Sequence, residues 1–258
     1  MVTFYSLSLA RAFMKPSVTK LLDYYYPFQS DGYRYLDGTY PFYQWIRESI
    51  DLPNAVVLNV GAGPTAKEKE RRLKGQVKRL VGTDPDVIVL QNKDLDEAYV
   101  NDGIQLPFPD ASFDAIYSDW VIEHVEKPDE FLKEVYRVLK PNGVYLFRTA
   151  NWWHYVTLIA AFTPHWFHKL VANRARGMTQ ESHDPWLTFY RMNTPSAIRQ
   201  KTQQAGFKQC EVRLFESHPS YLLFNPLAFR VGVLYERLVN KFNWLARFRH
   251  TIYVKLIK

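Results

Sequence analysis

The sequence predicts an α/β fold, with a doubly wound, mostly parallel sheet of seven strands that ends in an antiparallel last strand. Between Asn54 and Asn151, short β-rich runs alternate with helical segments, the order expected when helices cover both faces of a parallel sheet. Four of these runs are apolar on both faces, as strands buried beneath helices should be. Two more β-rich runs, 208–216 and 251–258, follow a second helical region and complete the predicted sheet.

The chain divides into four parts by composition and pattern. Residues 1–53 are a Tyr-rich, helical preface or cap, and residues 54–151 are the ligand-binding core. Residues 152–192 form a helical insert or lid after the fifth strand, on the side where a substrate would sit. This insert begins WWHYVTLIAAFTPHWFHKL. Residues 193–258 complete the sheet and carry a basic amphipathic helix.

Each element has its own signal in the sequence. The first five strands are predicted at 55–60, 78–84, 98–102, 113–119 and 143–150. Residues 120–140 have helical spacing, with Val121, Val125, Phe131, Val135 and Leu139 on the apolar face. Thr194 is a predicted N-cap, Pro195 the first helical residue and Gly206 the end of that helix.

Composition limits the classes of protein to consider. The 258 residues are 47% hydrophobic and 23% charged, which is ordinary for a globular protein. Cys210 is the single cysteine, so an internal disulfide is excluded and a reducing, cytoplasmic compartment is expected. The N-terminal stretch lacks the pattern of a signal peptide, and no apolar run reaches the ~20 residues of a membrane span.

The net charge of +7 suits nucleic acid, an anionic membrane surface or an acidic substrate. No nucleic-acid-binding signature accompanies the charge, so nucleic acid is the weakest of the three. Residues 226–258 contain seven basic residues and a single acid, Glu236. A basic helix with an apolar stripe in this segment is typical of a helix that binds a membrane surface, here the inner face of the membrane. The alternatives are that the helix docks on its own domain or at a homodimer interface.

The segment VLNVGAGPT, residues 57–65, carries the main functional signal. Gly61, Ala62 and Gly63 follow a buried strand, where glycine permits a sharp turn and a close approach to a ligand. A third glycine of the dinucleotide fingerprint and a G-K-[ST] sequence are both missing.

The next strands also end in polar residues. Asp84 and Pro85 end the second strand, and a carboxylate there can accept hydrogen bonds from two ribose hydroxyls. Asp102, which ends the third predicted strand, can accept from an adenine amine. Ser118, Asp119 and Trp120 end the fourth strand. These four strand ends predict a nucleoside-binding edge of the sheet.

The runs NVGAGP, GTDPD, NDGIQLPFPDASFDAIYSDWVIEHVEKP and EVYRVLKPNGVYLFRTAN resemble the class I S-adenosylmethionine-dependent methyltransferases, in particular the broad group with the ubiquinone/menaquinone methyltransferases. The likeness covers 54–151 closely and 194–216 loosely. It implies a Rossmann-like fold and S-adenosylmethionine as cofactor. It also implies roles for individual residues, as follows: Gly61, Ala62 and Gly63 under the methionine part, Asp84 on the ribose, Asp102, Gly103 and Ile104 around the adenine, and Ser118, Asp119 and Trp120 between cofactor and substrate.

Two features depart from that group. Asn59 stands two residues before the first glycine, where the group usually has an acid that helps to hold the cofactor's amino group. The segment TAKEKERRLKG, residues 65–75, is nearly devoid of apolar residues, so a truncated helix or loop with a solvated charge run is expected after the glycine turn.

The methyl acceptor is expected to lie beyond the fifth strand, as a small or lipid-like molecule. Trp152, Trp153 and His154 begin the insert there, and Tyr190 and Arg191 close it. A hydroxyl acceptor benefits from a general base; His154 and Asp119 are the first candidates, and His165, His168 and His183 are others. No set of metal ligands stands out.

O-methylation is the leading prediction for the reaction. Carbon methylation of a quinone-like ring and methylation of a carboxyl group are alternatives. Two other classes remain open at this point: a nucleotide-binding oxidoreductase and a non-catalytic methyltransferase-like protein.

Overall fold

Seven strands form a single sheet in the order β3-β2-β1-β4-β5-β7-β6. The structure is a computed structural model that describes residues 16–27, 38–162 and 187–258. Neighbouring strands from β3 through β5 are parallel, and β7 is antiparallel to both β5 and β6. The predicted α/β sheet is confirmed. The strands are β1 Val56–Val60, β2 Arg79–Asp84, β3 Glu97–Val100, β4 Phe113–Asp119, β5 Leu139–Ala150, β6 Gln209–Phe215 and β7 Thr251–Ile257.

Six α-helices accompany the sheet in the described part of the chain. They are α1 Pro16–Tyr25, α2 Thr39–Ser49, α3 Pro128–Val138, α4 Tyr155–Phe162, α5 Pro195–Gln204 and α6 Pro226–Lys241. The side chains of α3 and α5 join those from one face of the sheet in one apolar cluster, with Leu58, Phe131 and Ile198 among its members. A second cluster combines α2 with the other face, through Phe42 and Val57. Both faces of the sheet are therefore buried, as the apolar strands predict.

A third cluster joins α1 to α6. Val18 and Leu22 of α1 are fully buried beside Phe229 and Val233 of α6. The N-terminal preface is thus helical in its described part, and it packs on the C-terminal helix.

Helix α3 is shorter than the sequence predicts. Residues 120–140 were expected to be one helix, but Ile122–His124 is a 3₁₀ turn and α3 begins only at Pro128. Proline suits the first turn of a helix and disfavours helical backbone at the residue before it, which explains this start. The helix ends at Val138 because Leu139 already pairs with Phe113 of β4.

Short 3₁₀ turns replace two of the expected crossover helices. Lys69–Arg71 lies between β1 and β2, and Val87–Gln91 lies between β2 and β3. The predicted truncation after the glycine turn is confirmed. The predicted cap of α5 is also confirmed, because the Thr194 hydroxyl accepts the amide N–H of Ala197 at 3.2 Å and Gly206 has a φ of 98°.

Only the ends of the predicted insert can be compared with the structure. Residues 163–186, which include His165, His168 and His183, lie outside the described residues. No helix in the three described stretches has the length and hydropathy needed to cross a membrane.

Candidate functional site

The candidate site lies where strands β1 to β4 end. Because these strands are parallel, their carboxyl ends lie at the same edge of the sheet, where ligands bind in open α/β folds. The chain order reverses between β1 and β4, which are neighbours in the sheet. The sequence-predicted cofactor residues all follow, or end, one of these four strands.

The turn after β1 needs its glycines. Gly61 and Gly63 have φ values of 75° and 55°, in the left-handed region that other residues rarely adopt. A Cβ on Gly61 would collide with the side chain of Val121. The amide N–H groups of Gly61 and Ala62 both donate to the Thr83 carbonyl, at 2.7 and 2.9 Å. The turn is thus held against the end of β2.

Asp84 holds the same turn from the end of β2. Its Oδ2 accepts the amide N–H of Gly63 at 2.9 Å, and its Oδ1 accepts that of Asp86 at 2.9 Å. The residue is 8% exposed, and burial raises the pKa of its carboxyl above the usual range. An ionised carboxylate offers about four lone-pair directions, so Asp84 can still accept two further hydrogen bonds.

An open pocket of about 440 Å³ adjoins Asp84. Gly103 stands at a φ of 82°, and its N–H donates to the Asn101 side chain at 2.8 Å. The Asp102 carboxylate accepts the N–H of Ile104 at 2.9 Å through one oxygen. The lining residues are Pro85, Val100, Asn101, Asp102, Ile104 and Gln105.

Asn59 supplies an acceptor near the end of β1. Its Oδ1 is buried and has no hydrogen-bond partner among the described residues. A buried amide carbonyl without a partner costs free energy. A bound ligand with an N–H or ammonium group would remove that cost.

Asp119, at the end of β4, is a counterion. Its carboxylate accepts from the Arg148 guanidinium, from Arg71 at 2.9 Å and from the Tyr43 hydroxyl at 3.2 Å. Burial alone would raise the pKa of Asp119, but the two guanidinium groups hold it below its usual range. These contacts do not favour the predicted role of Asp119 as a base, because its oxygens are occupied and the lowered pKa makes its carboxylate a weak proton acceptor.

Arg71 corrects a second expectation. It belongs to the charge run that was predicted to be solvated, yet its side chain is only 13% exposed and reaches Asp119. The segment after the glycine turn is thereby tied to the end of β4. Arg148 is fully buried within β5, where it also donates to the Thr39 hydroxyl at 3.0 Å. An arginine inside the otherwise apolar run YLFRTA is a signal that could have revealed this network.

The side chains of Ser118 and Trp120, which flank Asp119, have different surroundings. The Ser118 hydroxyl is buried and lies 2.6 Å from the Tyr145 hydroxyl. This position within the core does not fit the predicted contact with cofactor or substrate. Trp120 has a φ of 60°, and its ring lies 5.3 Å from the Arg148 guanidinium carbon and 5.6 Å from the His250 ring. The Trp120 ring therefore lies between Arg148, which pairs with Asp119, and His250, which precedes β7.

His154, beyond the end of β5, is buried and uncharged. Its Nδ1 accepts the amide N–H of Val156 at 3.3 Å, and its Nε2 lies 3.5 Å from a carboxylate oxygen of Glu216. Burial lowers the pKa of His154 to about 3. The prediction of His154 as the general base does not fit these surroundings, because Nδ1 is occupied and the imidazole is very weakly basic.

Glu216 is a group that sequence reasoning missed. Burial raises the pKa of its carboxyl to about 7, and it accepts the amide N–H of His250 at 2.7 Å. Glu216, His154 and His250 line a cavity of about 10 Å³, about the space of one water molecule. Glu216 follows β6, far along the chain from His154, so no local motif marks it.

The predicted substrate-binding residues at the two ends of the insert have aromatic contacts of their own. The Trp152 ring lies 5.7 Å from that of Tyr190 in an edge-on contact. Trp153 is 41% exposed, with the Arg247 guanidinium 5.3 Å from its ring. The structure thus brings Trp152 and Tyr190 together, whereas Arg191 is exposed. Among the described residues no group of three or more His, Cys, Asp or Glu side chains could hold a metal ion.

Comparisons with known proteins agree with this geometry. Residues 58–147 match the family model described as a methyltransferase domain. A ubiquinone/menaquinone biosynthesis C-methyltransferase from Hahella chejuensis is 34% identical over 115 residues, covering 38% of this chain and 46% of that protein. A malonyl-acyl-carrier-protein O-methyltransferase from Coxiella burnetii is 34% identical over 104 residues, covering 40% and 36%.

The fold also has a close counterpart among solved structures. A SAM-dependent methyltransferase from Archaeoglobus fulgidus superposes with a TM-score of 0.54 at 15% identity, covering 85% of this chain and 92% of that one. The chain spans less than half the length of the curated relatives that it matches. The matched core nevertheless contains the glycine turn and the ends of all four strands. Residues 58–147 therefore form a methyltransferase domain, and the chain shares its fold with a SAM-dependent methyltransferase.

Proposed function

We propose that the protein transfers a methyl group from S-adenosylmethionine to a small or lipid-like organic acceptor, with a hydroxyl oxygen as the leading acceptor atom. The observation that carries the proposal is the joint placement of the glycine turn, Asp84 and the 440 Å³ pocket at one edge of the sheet. A G-x-G turn alone would be weak support, since many nucleotide-binding folds have one.

The residues present fit the cofactor. Asp84 has capacity for two ribose hydroxyls after its two backbone contacts. The pocket beyond it, with the Asp102 carboxylate at its rim, has the position expected for the adenine. The unpartnered Oδ1 of Asn59 suits the ammonium of the methionine part, although an amide oxygen attracts a cation less than the usual carboxylate would.

When bound, S-adenosylmethionine supplies an electrophilic methyl group on a sulfonium, for an in-line displacement. The protein's own contribution is to hold the two reactants in line and to exclude water. Trp120 is the described residue that connects the two sides, through Arg148 on one side and His250 on the other. We assign to it the boundary between cofactor and acceptor.

The acceptor side combines aromatic walls with one proton acceptor. Trp152, Trp153 and Tyr190 give it the apolar character that a lipid-like acceptor requires. Glu216 has a pKa near neutrality, as an efficient general base should. We therefore propose that Glu216 accepts the proton of a hydroxyl acceptor as a general base, with His154 beside it. The cavity of about 10 Å³ has room for about one water molecule, so it must widen for the acceptor to reach Glu216.

Methylation of a ring carbon is the second candidate. The Hahella chejuensis relative is named as a C-methyltransferase and the Coxiella burnetii relative as an O-methyltransferase, so the names of relatives support both. A phenolic ring and an alcohol both gain from a base, whereas a carboxyl acceptor needs none.

Two measurements test the proposal. Isothermal titration should detect S-adenosylhomocysteine binding and no comparable binding of NAD; the opposite pattern would indicate an oxidoreductase. Incubation with methyl-labelled S-adenosylmethionine and a lipid extract, followed by mass spectrometry, should then show a labelled lipophilic product. NMR of the product separates an O-methyl from a C-methyl group. Cofactor binding without any labelled product would favour a non-catalytic protein.

The base has its own test. Glu216→Gln keeps an acceptor for the His250 N–H and removes the ionisable group. We expect the rate of methyl transfer to fall by about 10²-fold or more, with unchanged affinity for S-adenosylhomocysteine. An unchanged rate would contradict the assignment and favour a carboxyl acceptor.

Location and assembly follow as further parts of the proposal. We propose a cytoplasmic protein, since Cys210 is a free thiol and such thiols persist in reducing compartments. A homodimer remains the alternative use of the C-terminal surface.

A further inference from the structure

Helix α6 has two apolar faces, and only one of them is buried. Phe229, Val233 and Val239 point inward, where the first two pack on α1. Gly232 allows the close approach of Pro219 on the same side. The inward face holds the helix on the protein, whereas the second apolar face is exposed.

The second face is a stripe of four large side chains that are 41% to 69% exposed. At about 100° per residue, they occupy roughly 60° of the helix surface. The stripe consists of Leu227, Val231, Leu234 and Leu238. Phe224 precedes the helix and is 56% exposed; Trp244 follows it and is 74% exposed. A contiguous exposed apolar surface of this kind marks an interaction site.

Basic residues line one flank of the stripe. Arg230, Arg237 and Lys241 are exposed and lie about 50° to 90° to one side of the centre of the stripe. The single acid of the segment, Glu236, is 7% exposed; it accepts from Tyr26 at 3.1 Å and Asn240 at 2.7 Å and pairs with Arg237 at 3.3 Å. Helix α6 therefore presents no exposed carboxylate beside these cations.

We propose that this face of α6 docks on the surface of an anionic lipid bilayer, with the helix lying in the plane of the interface. An apolar stripe beside a basic flank matches lipid tails beside anionic headgroups. Trp244 suits the headgroup level, where Trp is enriched. A second copy of the chain fits less well, because a two-fold contact of the stripe would bring basic flanks together without acids from either helix.

Docking in this way would bring the acceptor side to the bilayer. Tyr235 of α6 lies 5.2 Å from the Tyr155 ring and 5.9 Å from the His154 ring. The exposed Trp153 and Ile159 are on or next to α4, which begins at Tyr155. A lipid-soluble acceptor could then enter from the membrane. The docking itself does not depend on the proposed methyl transfer.

Vesicle flotation of the full chain tests the docking. We expect the protein to float with vesicles that contain phosphatidylglycerol at low salt, and much less with pure phosphatidylcholine or at high salt. Leu227→Ser/Leu234→Ser should weaken partitioning by about a hundredfold. The matched control is Val87→Ser/Leu90→Ser, since Val87 and Leu90 are 67% and 60% exposed elsewhere on the surface. That variant should bind as the wild type does.

A second pair of variants tests the charges. Arg230→Gln/Lys241→Gln should weaken partitioning about thirtyfold, whereas Lys78→Gln/Lys93→Gln removes the same charge elsewhere and should have little effect. Each variant is checked by its thermal unfolding and by titration with S-adenosylhomocysteine, which reads the cofactor site independently.

Three results would overturn the inference. The wild type could fail to float with anionic vesicles, or the stripe variant could float as well as the control. The stripe variant could also convert a dimer to a monomer in sedimentation velocity without any vesicle binding by the wild type. That last result would identify the stripe as a subunit interface.

Discussion

The proposed cofactor side and the proposed acceptor side of the molecule are built in different ways. On the cofactor side, the glycine turn and Asp84 come from adjacent parallel strands and are fixed by backbone hydrogen bonds of 2.7 to 2.9 Å. On the proposed acceptor side, His154, Glu216, Tyr235 and His250 come from four distant segments and meet through ring contacts and a small cavity that all but Tyr235 line. The first arrangement is specified locally, whereas the second depends on how the C-terminal third of the chain packs.

The two sides also differ in how far the charge of a buried carboxylate is compensated by cationic neighbours. On the cofactor side, Asp119 is compensated by two arginines, which keep its pKa low. On the acceptor side, Glu216 has only partial compensation, and its pKa rises to about 7. A buried carboxylate that is paired with arginines has a structural role. A buried carboxyl with only partial compensation has a pKa near neutrality and can exchange a proton.

The largest effect is expected at Arg148. Arg148→Met leaves Asp119 buried with fewer partners, and breaking a buried ion pair from one side costs about 3–5 kcal/mol. Chemical denaturation should show that loss in the free energy of unfolding. Arg79→Met is the control, because Arg79 pairs with Glu97 on the surface and such pairs contribute about 0–1 kcal/mol. Equal losses in the two variants would contradict the scaffold role.

Next in size is the loss of cofactor affinity in Asp84→Ala. Two charge-assisted hydrogen bonds to the ribose are removed, which should weaken S-adenosylhomocysteine binding about a hundredfold in isothermal titration. Asp86→Ala is the matched control; Asp86 stands two residues away and caps the 3₁₀ turn through the Ile88 N–H. Affinity that survives in Asp84→Ala would refute the ribose assignment.

Glu216 should make stability depend on pH. Its pKa is about 7 in the folded state and about 4.3 in an unfolded chain, so the folded state binds more protons between these values. The free energy of unfolding should therefore fall as pH rises from about 4.5 to 7, by roughly 1–3 kcal/mol for this group. The titratable and charged groups that lie near Glu216 or interact with it electrostatically are His250, Glu236, Arg249, Tyr155, Tyr235 and His154.

Glu123, a second buried carboxyl, provides the comparison; its backbone carbonyl accepts the N–H of Tyr190 at 3.2 Å. Burial raises its pKa to about 7 as well, and its carboxylate accepts from the Thr149 hydroxyl at 2.7 Å. Glu216→Gln and Glu123→Gln should each remove part of the pH slope, and the double variant most of it. Only Glu216→Gln should slow methyl transfer. A slope that persists in the double variant would show that other groups cause it.

The smallest effect is expected in His154→Asn. Asparagine can still accept the Val156 N–H at the start of α4, so the free energy of unfolding should change by about 1 kcal/mol or less. The rate of methyl transfer should stay within about threefold, because a neutral imidazole of pKa about 3 adds little as a base. A loss comparable to that of Glu216→Gln would restore His154 as the base.

This contrast explains what the sequence could predict. The strands, the cap at Thr194 and the four strand ends carry local signals in the sequence. A parallel sheet brings the four strand ends to one edge whatever the packing of the other side chains. Arg71 was misjudged because a charge run usually lies in solvent, and only tertiary contact reveals that one of its members is buried. Glu216 and His250 carry no motif, so their meeting with His154 could not be predicted without the packing of α6 and β7.

The most direct test of the central claim is a crystal structure with bound S-adenosylhomocysteine. The account predicts adenine in the pocket lined by Pro85, Asp102 and Ile104, the ribose hydroxyls on the Asp84 carboxylate, and the amino group within hydrogen-bonding distance of Asn59 Oδ1. A ligand bound elsewhere, or a ribose that makes no contact with Asp84, would contradict it.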